Sequence, residues 1–160
     1  RPESWKKTIL MALGTMIAAI IVVVSVQVIA LNLPGTEIAP LDETRFNPLV
    51  GNIPMLLLSL LAAWTTIAFG EEMFFRAFLI TKLQQLFASL RFATVFAVAG
   101  STVLFGLAHF AEGPIGIFSN GSFGLLQALI YLRTGKNLWV TIIAHALLNT
   151  IRFILVFYGA

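Results

Sequence analysis

Cysteine is absent from the chain, and charge is scarce. The first absence excludes disulfides, thiolate metal sites and a cysteine nucleophile. The second says more. Only 11% of the 160 residues are charged and 59% are hydrophobic, whereas soluble domains carry roughly 25% charged residues. With a mean hydropathy of +0.95, the composition is that of an integral membrane protein, and the length suits one compact helical bundle. A pI near 9.7 raises nucleic acid as a partner. Yet the net charge is only +3 and basic residues never cluster beyond the pair Lys6-Lys7, so no nucleic-acid partner is expected. The basic excess reads instead as loop charge that sets membrane orientation. Histidine is nearly missing too: His109 and His145 are the only two, and both lie in apolar segments.

What the chain does have is long apolar runs. Ile9–Leu31 is about 23 residues, enough to span with some tilt. A signal peptide has a shorter apolar region and a small-residue cleavage site. Ala30 is followed by Leu31-Asn32-Leu33-Pro34, so the run reads as a retained helix. Pro34, Gly35, Pro40 and Pro48, with Glu37, Asp42, Glu43 and Arg45, make 32–52 a polar connection. A second run starts near Ile53, with Gly70 a plausible break or kink. Residues from Glu71 to about Leu90 favour helix, turning amphipathic after Lys82. Phe92–Phe110 is a further span. Ala111–Gly121, holding Glu112, Gly113, Pro114 and Asn120, reads as a loop or re-entrant segment. Gly124–Leu132 continues as helix, Arg133-Thr-Gly-Lys136 as a tight turn, and Leu138–Tyr158 as the last span. Strands of a membrane barrel would alternate polar and apolar residues; these runs do not.

Charge tests this layout. With the N-terminus in the cytoplasm, Arg1, Lys6, Lys7, Lys82, Arg91, Arg133 and Lys136 all fall inside. The opposite loops hold Glu37, Asp42, Glu43 and Glu112 against Arg45. That segregation supports an all-α, polytopic transmembrane helical bundle of about five spans with a cytoplasmic N-terminus. Residues 1–50 form its first helix and polar loop, and 51–160 the core that carries the chemistry.

The chemistry starts at Gly70-Glu71-Glu72-Met-Phe-Phe-Arg76. Ionised side chains at membrane depth cost about 2.5–3.5 kcal/mol each on the mildest scale, so three within six residues need partners, water or a task. Glu72 and Arg76 are i and i+4 in the favourable order and form a clamp. Glu71 points about 100° away, toward a cavity. One arginine does not need two carboxylates. His109, one turn after Phe105, sits beside Gly106 and Ala108, which let a neighbouring helix approach. His145 and Asn149 share a face of the last span. Alone, each of these reads as an interhelical packing or hydrogen-bonding group. Counted from the loops at about 1.5 Å per residue, however, Glu71, His109, His145 and Asn149 reach nearly one depth. That coincidence points to a site.

Three motifs in this order on separate helices, Glu71-Glu72-Met-Phe-Phe-Arg76, Phe105-Gly-Leu-Ala-His109 and His145-Ala-Leu-Leu-Asn149, resemble the CAAX-protease and bacteriocin-processing (Abi) family of intramembrane proteases. Arg133-Thr-Gly-Lys-Asn-Leu-Trp139 before the third motif is also similar. The resemblance covers about residues 50–158, and many relatives have more N-terminal helices. It implies a membrane endopeptidase in which Glu71 is the general base, His109 holds the water, and His145 and Asn149 stabilise the oxyanion. Glu72–Arg76 orients the others, with some part left to Glu72 in catalysis. The implied partner is a peptide or protein substrate, membrane-associated or lipidated, and the implied setting is the plasma membrane. Zinc accepts ligands such as Glu71, His109 and His145, so a divalent metal is an option. The His-Glu-x-x-His pattern of zinc proteases is missing, and a glutamate base with an oxyanion site, needing no cofactor, is preferred. Two other classes compete: a non-hydrolytic self-immunity or scaffolding factor of the same fold, and a transporter or proton relay, for which no inverted repeat is visible.

Overall fold

The structure, a computed structural model, describes residues 2, 4–33 and 44–159. Five helical rods make up the bundle: α1 (Trp5–Leu31), α2 (Ile53–Leu86), α3 (Ala93–Ala108), α4 (Gly113–Arg133) and α5 (Leu138–Phe157). No strand occurs among the described residues. The arrangement is the expected helical membrane bundle. Four rods are long and apolar enough to cross a bilayer. The fifth, α3, has 16 residues and reaches only about 24 Å at 1.5 Å per residue. The acidic loop residues Glu37, Asp42 and Glu43 lie outside the described residues.

Local chemistry sets the helix ends. Ser4, Asn52 and Asn137 cap α1, α2 and α5, each accepting a backbone N–H of the first turn. The α4–α5 turn needs left-handed backbone, with φ of +66° at Gly135 and +64° at Lys136; glycine takes this freely. Outward faces carry exposed Leu, Ile, Val and Phe side chains along every rod, as lipid contact requires. Inward faces are narrow and rich in alanine, among them Ala12, Ala19, Ala97, Ala128 and Ala144, which lets the rods approach closely.

Three sequence expectations fail, two of them for packing reasons. Gly70 does not break α2: helix continues through it, and wide π turns flank it at Ala63–Ile67 and Met73–Leu79. Residues 111–121 are not a loop. A 3-10 turn (Phe110–Glu112) leads directly into α4, with Pro114 in its first turn, where the missing N–H costs nothing. The glycines that suggested a loop are contact points. A Cβ on Gly106 would lie 2.8 Å from the Ile117 carbonyl oxygen and 3.2 Å from Gly121 Cα, so α3 and α4 meet backbone to backbone. Glu112 is not a solvated loop charge: it is 1% exposed.

Bonds between loops show which ends lie together. Lys136 Nζ reaches Gln84 Oε1 (3.5 Å), Asn137 Nδ2 donates to Thr8 Oγ1 (3.0 Å), and the Trp5 and Trp139 rings pack at 5.7 Å. At the other end the Gly51 N–H donates to the Phe157 carbonyl (2.9 Å).

Candidate active site

Phe105 is the hub on which the polar groups are hung. Its ring, 1% exposed, contacts Phe75 (4.9 Å between centroids), His109 (4.9 Å), Phe123 (5.9 Å) and His145 (6.3 Å). The Arg76 guanidinium lies over its face at 4.5 Å, a favourable cation–π placement. Gly124 makes room for it, since a Cβ there would sit 3.0 Å from Phe105 Cδ1.

Glu72 and Arg76 are both fully buried. Arg76 Nε pairs with Glu72 Oε2 at 3.1 Å, and Arg76 Nη2 donates to the Gly124 carbonyl at 3.2 Å. Burying two charges is tolerable only with such mutual compensation. The other carboxylate oxygen, Glu72 Oε1, lies 3.0 Å from His145 Nδ1. A carboxylate paired with arginine can only accept, so Nδ1 carries the proton and donates. The remaining nitrogen, Nε2, is then turned toward Glu71, 3.9 Å from Glu71 Oε2. That is too far for a direct hydrogen bond. Glu71 is partly exposed, yet its Oε2 atom is buried and has no hydrogen-bond partner among the described residues.

His109 stands at the C-terminal cap of α3 rather than within the rod. Its Nδ1 is 2.9 Å from the Phe105 carbonyl oxygen, which fixes Nδ1 as donor and leaves Nε2 as an acceptor. Glu71, His109, His145 and Asn149 all line one cavity of about 740 Å³. The six residues expected from the motifs therefore fall into a buried clamp (Glu72, Arg76) and four cavity-lining groups.

The cavity also holds groups that sequence reasoning did not select. Arg152 continues the α5 stripe of His145 and Asn149 by one turn and lines the same wall. Its Nη2 is 3.9 Å from Glu112 Oε2, and its guanidinium sits 4.6 Å over the Phe46 ring. Asn120 Nδ2 donates to Glu112 Oε2 (3.1 Å) and to the Gly116 carbonyl (2.9 Å). The i, i+4, i+7 spacing from His145 through Asn149 was a signal for Arg152. Glu112 and Asn120 gave none while 111–121 read as a loop. Behind the clamp, Gln127 is fully buried and donates to the Thr141 carbonyl at 3.0 Å.

A zinc ion needs three protein ligands converging on one point and an open position. Among the described residues no three His, Asp or Glu side chains group closely enough to hold a metal ion, so Glu71, His109 and His145 do not fit that role as placed.

No curated protein and no solved structure gives a significant match to the chain. A family profile does: residues 53–151, more than half of the chain, match the type II CAAX prenyl endopeptidase Rce1-like family. The matched segment runs from the start of α2 to the wall carrying His145 and Asn149. The chain belongs to this Rce1-like family, whose general activity is endoproteolysis of a peptide or protein substrate at the membrane.

Proposed function

We propose that the protein is an intramembrane endopeptidase of the glutamate type, in which Glu71 activates a water molecule against a peptide bond. The observation that carries this is the 3.9 Å separation of Glu71 Oε2 from His145 Nε2. A water at about 2.8 Å from each, an ordinary hydrogen-bond length, touches both at once. Glu71 takes its proton as the oxygen attacks the carbonyl carbon, and returns that proton to the leaving amine.

The clamp decides how His145 takes part. With Nδ1 bound to Glu72, the ring can donate from Nε2 only when both nitrogens are protonated. It then faces the developing oxyanion, joined by the amide of Asn149 one turn away. Such donors act most strongly in a site shielded from bulk water. His109, whose free Nε2 accepts, orients the attacking water. Arg76 and Glu72 stay outside the reacting atoms and hold His145 in register.

A purified, metal-depleted preparation tests this against a peptide library. Cleavage that survives chelator supports a glutamate base. Loss of cleavage with chelator and recovery with zinc overturns the glutamate mechanism, and absence of cleavage across the library overturns the protease reading.

A further inference from the structure

Two residues lining the cavity carry a buried polar atom with no hydrogen-bond partner among the described residues: Glu71, at Oε2, and Ser119, at Oγ. Glu71 has its task in the reaction proposed above. Ser119 has none so far. It is 2% exposed and lies in the second turn of α4. Other hydroxyls of the bundle find partners close by. Thr15, Thr65, Thr66, Thr134 and Thr150 each donate to the carbonyl four residues back, and Ser101 donates across to the Phe75 carbonyl. Thr102 also lacks a partner but does not line the cavity. A hydroxyl kept from water without a partner is costly, and one on a cavity wall is satisfied when the cavity is filled.

The fold puts Ser119 beside the reacting atoms rather than among them. Phe123, one turn further along α4, packs its ring on His145 at 4.8 Å between centroids. Counted from the turn at Gly135, Ser119 and Asn149 fall within about 3 Å of the same depth at 1.5 Å per residue. Both line the cavity, from different rods. Nucleophilic attack by Ser119 would need a base in contact with its hydroxyl, and no such contact exists among the described residues.

We infer that Ser119 is a substrate-binding residue whose hydroxyl donates to a backbone carbonyl of the peptide, next to the bond that is cut but not part of it. The inference rests on the protease reading above. Ile20, Val23 and Leu148 also line the cavity, so a peptide carbonyl that enters leaves water and needs a donor from the protein. Glu71 and the free Nε2 of His109 are acceptors, suited to water or to peptide N–H groups. Ser119 supplies an O–H. The bond forms when substrate binds and persists through the reaction, so it strengthens ground state and transition state alike.

Ser119→Ala, purified in the same detergent as wild type, tests this on a peptide from the library that wild type cleaves, and on analogues of it. In each analogue one amide other than the scissile one is replaced by an ester, whose carbonyl is a weaker acceptor. Ser119→Ala is expected to melt no lower than wild type, to keep its kcat, and to show a KM raised roughly 3- to 10-fold. One ester analogue should raise KM for wild type and leave that of Ser119→Ala unaltered, because both changes remove the same bond. Ser119→Cys, similar in volume and a poor donor, repeats the test should Ser119→Ala fold badly. Wild-type cleavage with an unchanged KM in the variants, a fall in kcat alone, or esters acting equally on all proteins overturns the inference and leaves the protease reading standing. Absence of cleavage by wild type overturns that reading, and the substrate contact with it.

Discussion

His145 Nδ1 donates to Glu72 Oε1 across 3.0 Å while Arg76 Nε holds the other oxygen of the same carboxylate at 3.1 Å. One buried carboxylate thus fixes both a cation and the tautomer of an imidazole, and its loss should damage fold and activity together. Removing one member of a buried charged network costs about 3–5 kcal/mol, because the partner charge is stranded. Glu72→Gln is expected to lower the melting temperature and the cleavage rate. Adding Arg76→Met to Glu72→Gln should restore much of the stability, since no buried charge is then left alone, but none of the activity. Thermal melts and rates on both variants check this.

Asn149 plays a different part. It lines the cavity and takes no part in the clamp. Asn149→Ala is expected to leave the melting temperature nearly unchanged and to lower kcat by about 10²–10³, the usual cost of one oxyanion donor. KM should change little. A rise in KM with kcat intact would assign Asn149 to substrate binding instead.

Gly124 links packing to chemistry. A Cβ there would sit 3.0–3.2 Å from Phe105, tighter than ordinary contact, and its carbonyl accepts from Arg76. Gly124→Ala should overpack the hub, costing about 1–3 kcal/mol, and push the Arg76 acceptor away. Phe105→Leu in the Gly124→Ala background, by reducing ring volume, should recover part of that loss. Differential scanning measurements on the single and double variants decide it.

The sequence made the rods and the clamp legible for reasons that are local. Uninterrupted apolar runs outlined α1, α2 and α5, and the i, i+4 spacing of Glu72 and Arg76 required their pairing. What stayed hidden depends on partners distant in the chain. Pro114, Gly116 and Gly121 look like breakers until α3 is packed against them. Gly116 leaves space for the Glu112 side chain to fold back toward Asn120, which no local pattern announces. Glu112 counted as a loop charge because its burial comes from tertiary contacts. The π turns either side of Gly70 likewise have no sequence signature. Depth counting along the rods brought Glu71, His109, His145 and Asn149 to one level, and one cavity contains them. It could not tell that His109 caps α3, nor which imidazole nitrogen is free.

The second polar group of the cavity carries its own expectation. Glu112 is buried against Arg152 and Asn120, so Glu112→Ala should destabilise the α4 entry, by about 1–3 kcal/mol for unsatisfied polar partners. Glu112→Gln, which keeps the acceptor for Asn120, should cost less. Comparing the two melting temperatures measures how much of the effect is charge.

The most direct measurement is the peptide-cleavage rate of purified Glu71→Gln against wild type, with both melted in the same detergent. Glutamine keeps the size and polarity of the side chain but cannot take a proton. The account predicts equal melting temperatures and a rate lower by at least about 10²-fold, the scale of general-base catalysis. Equal rates from two equally folded proteins would contradict it.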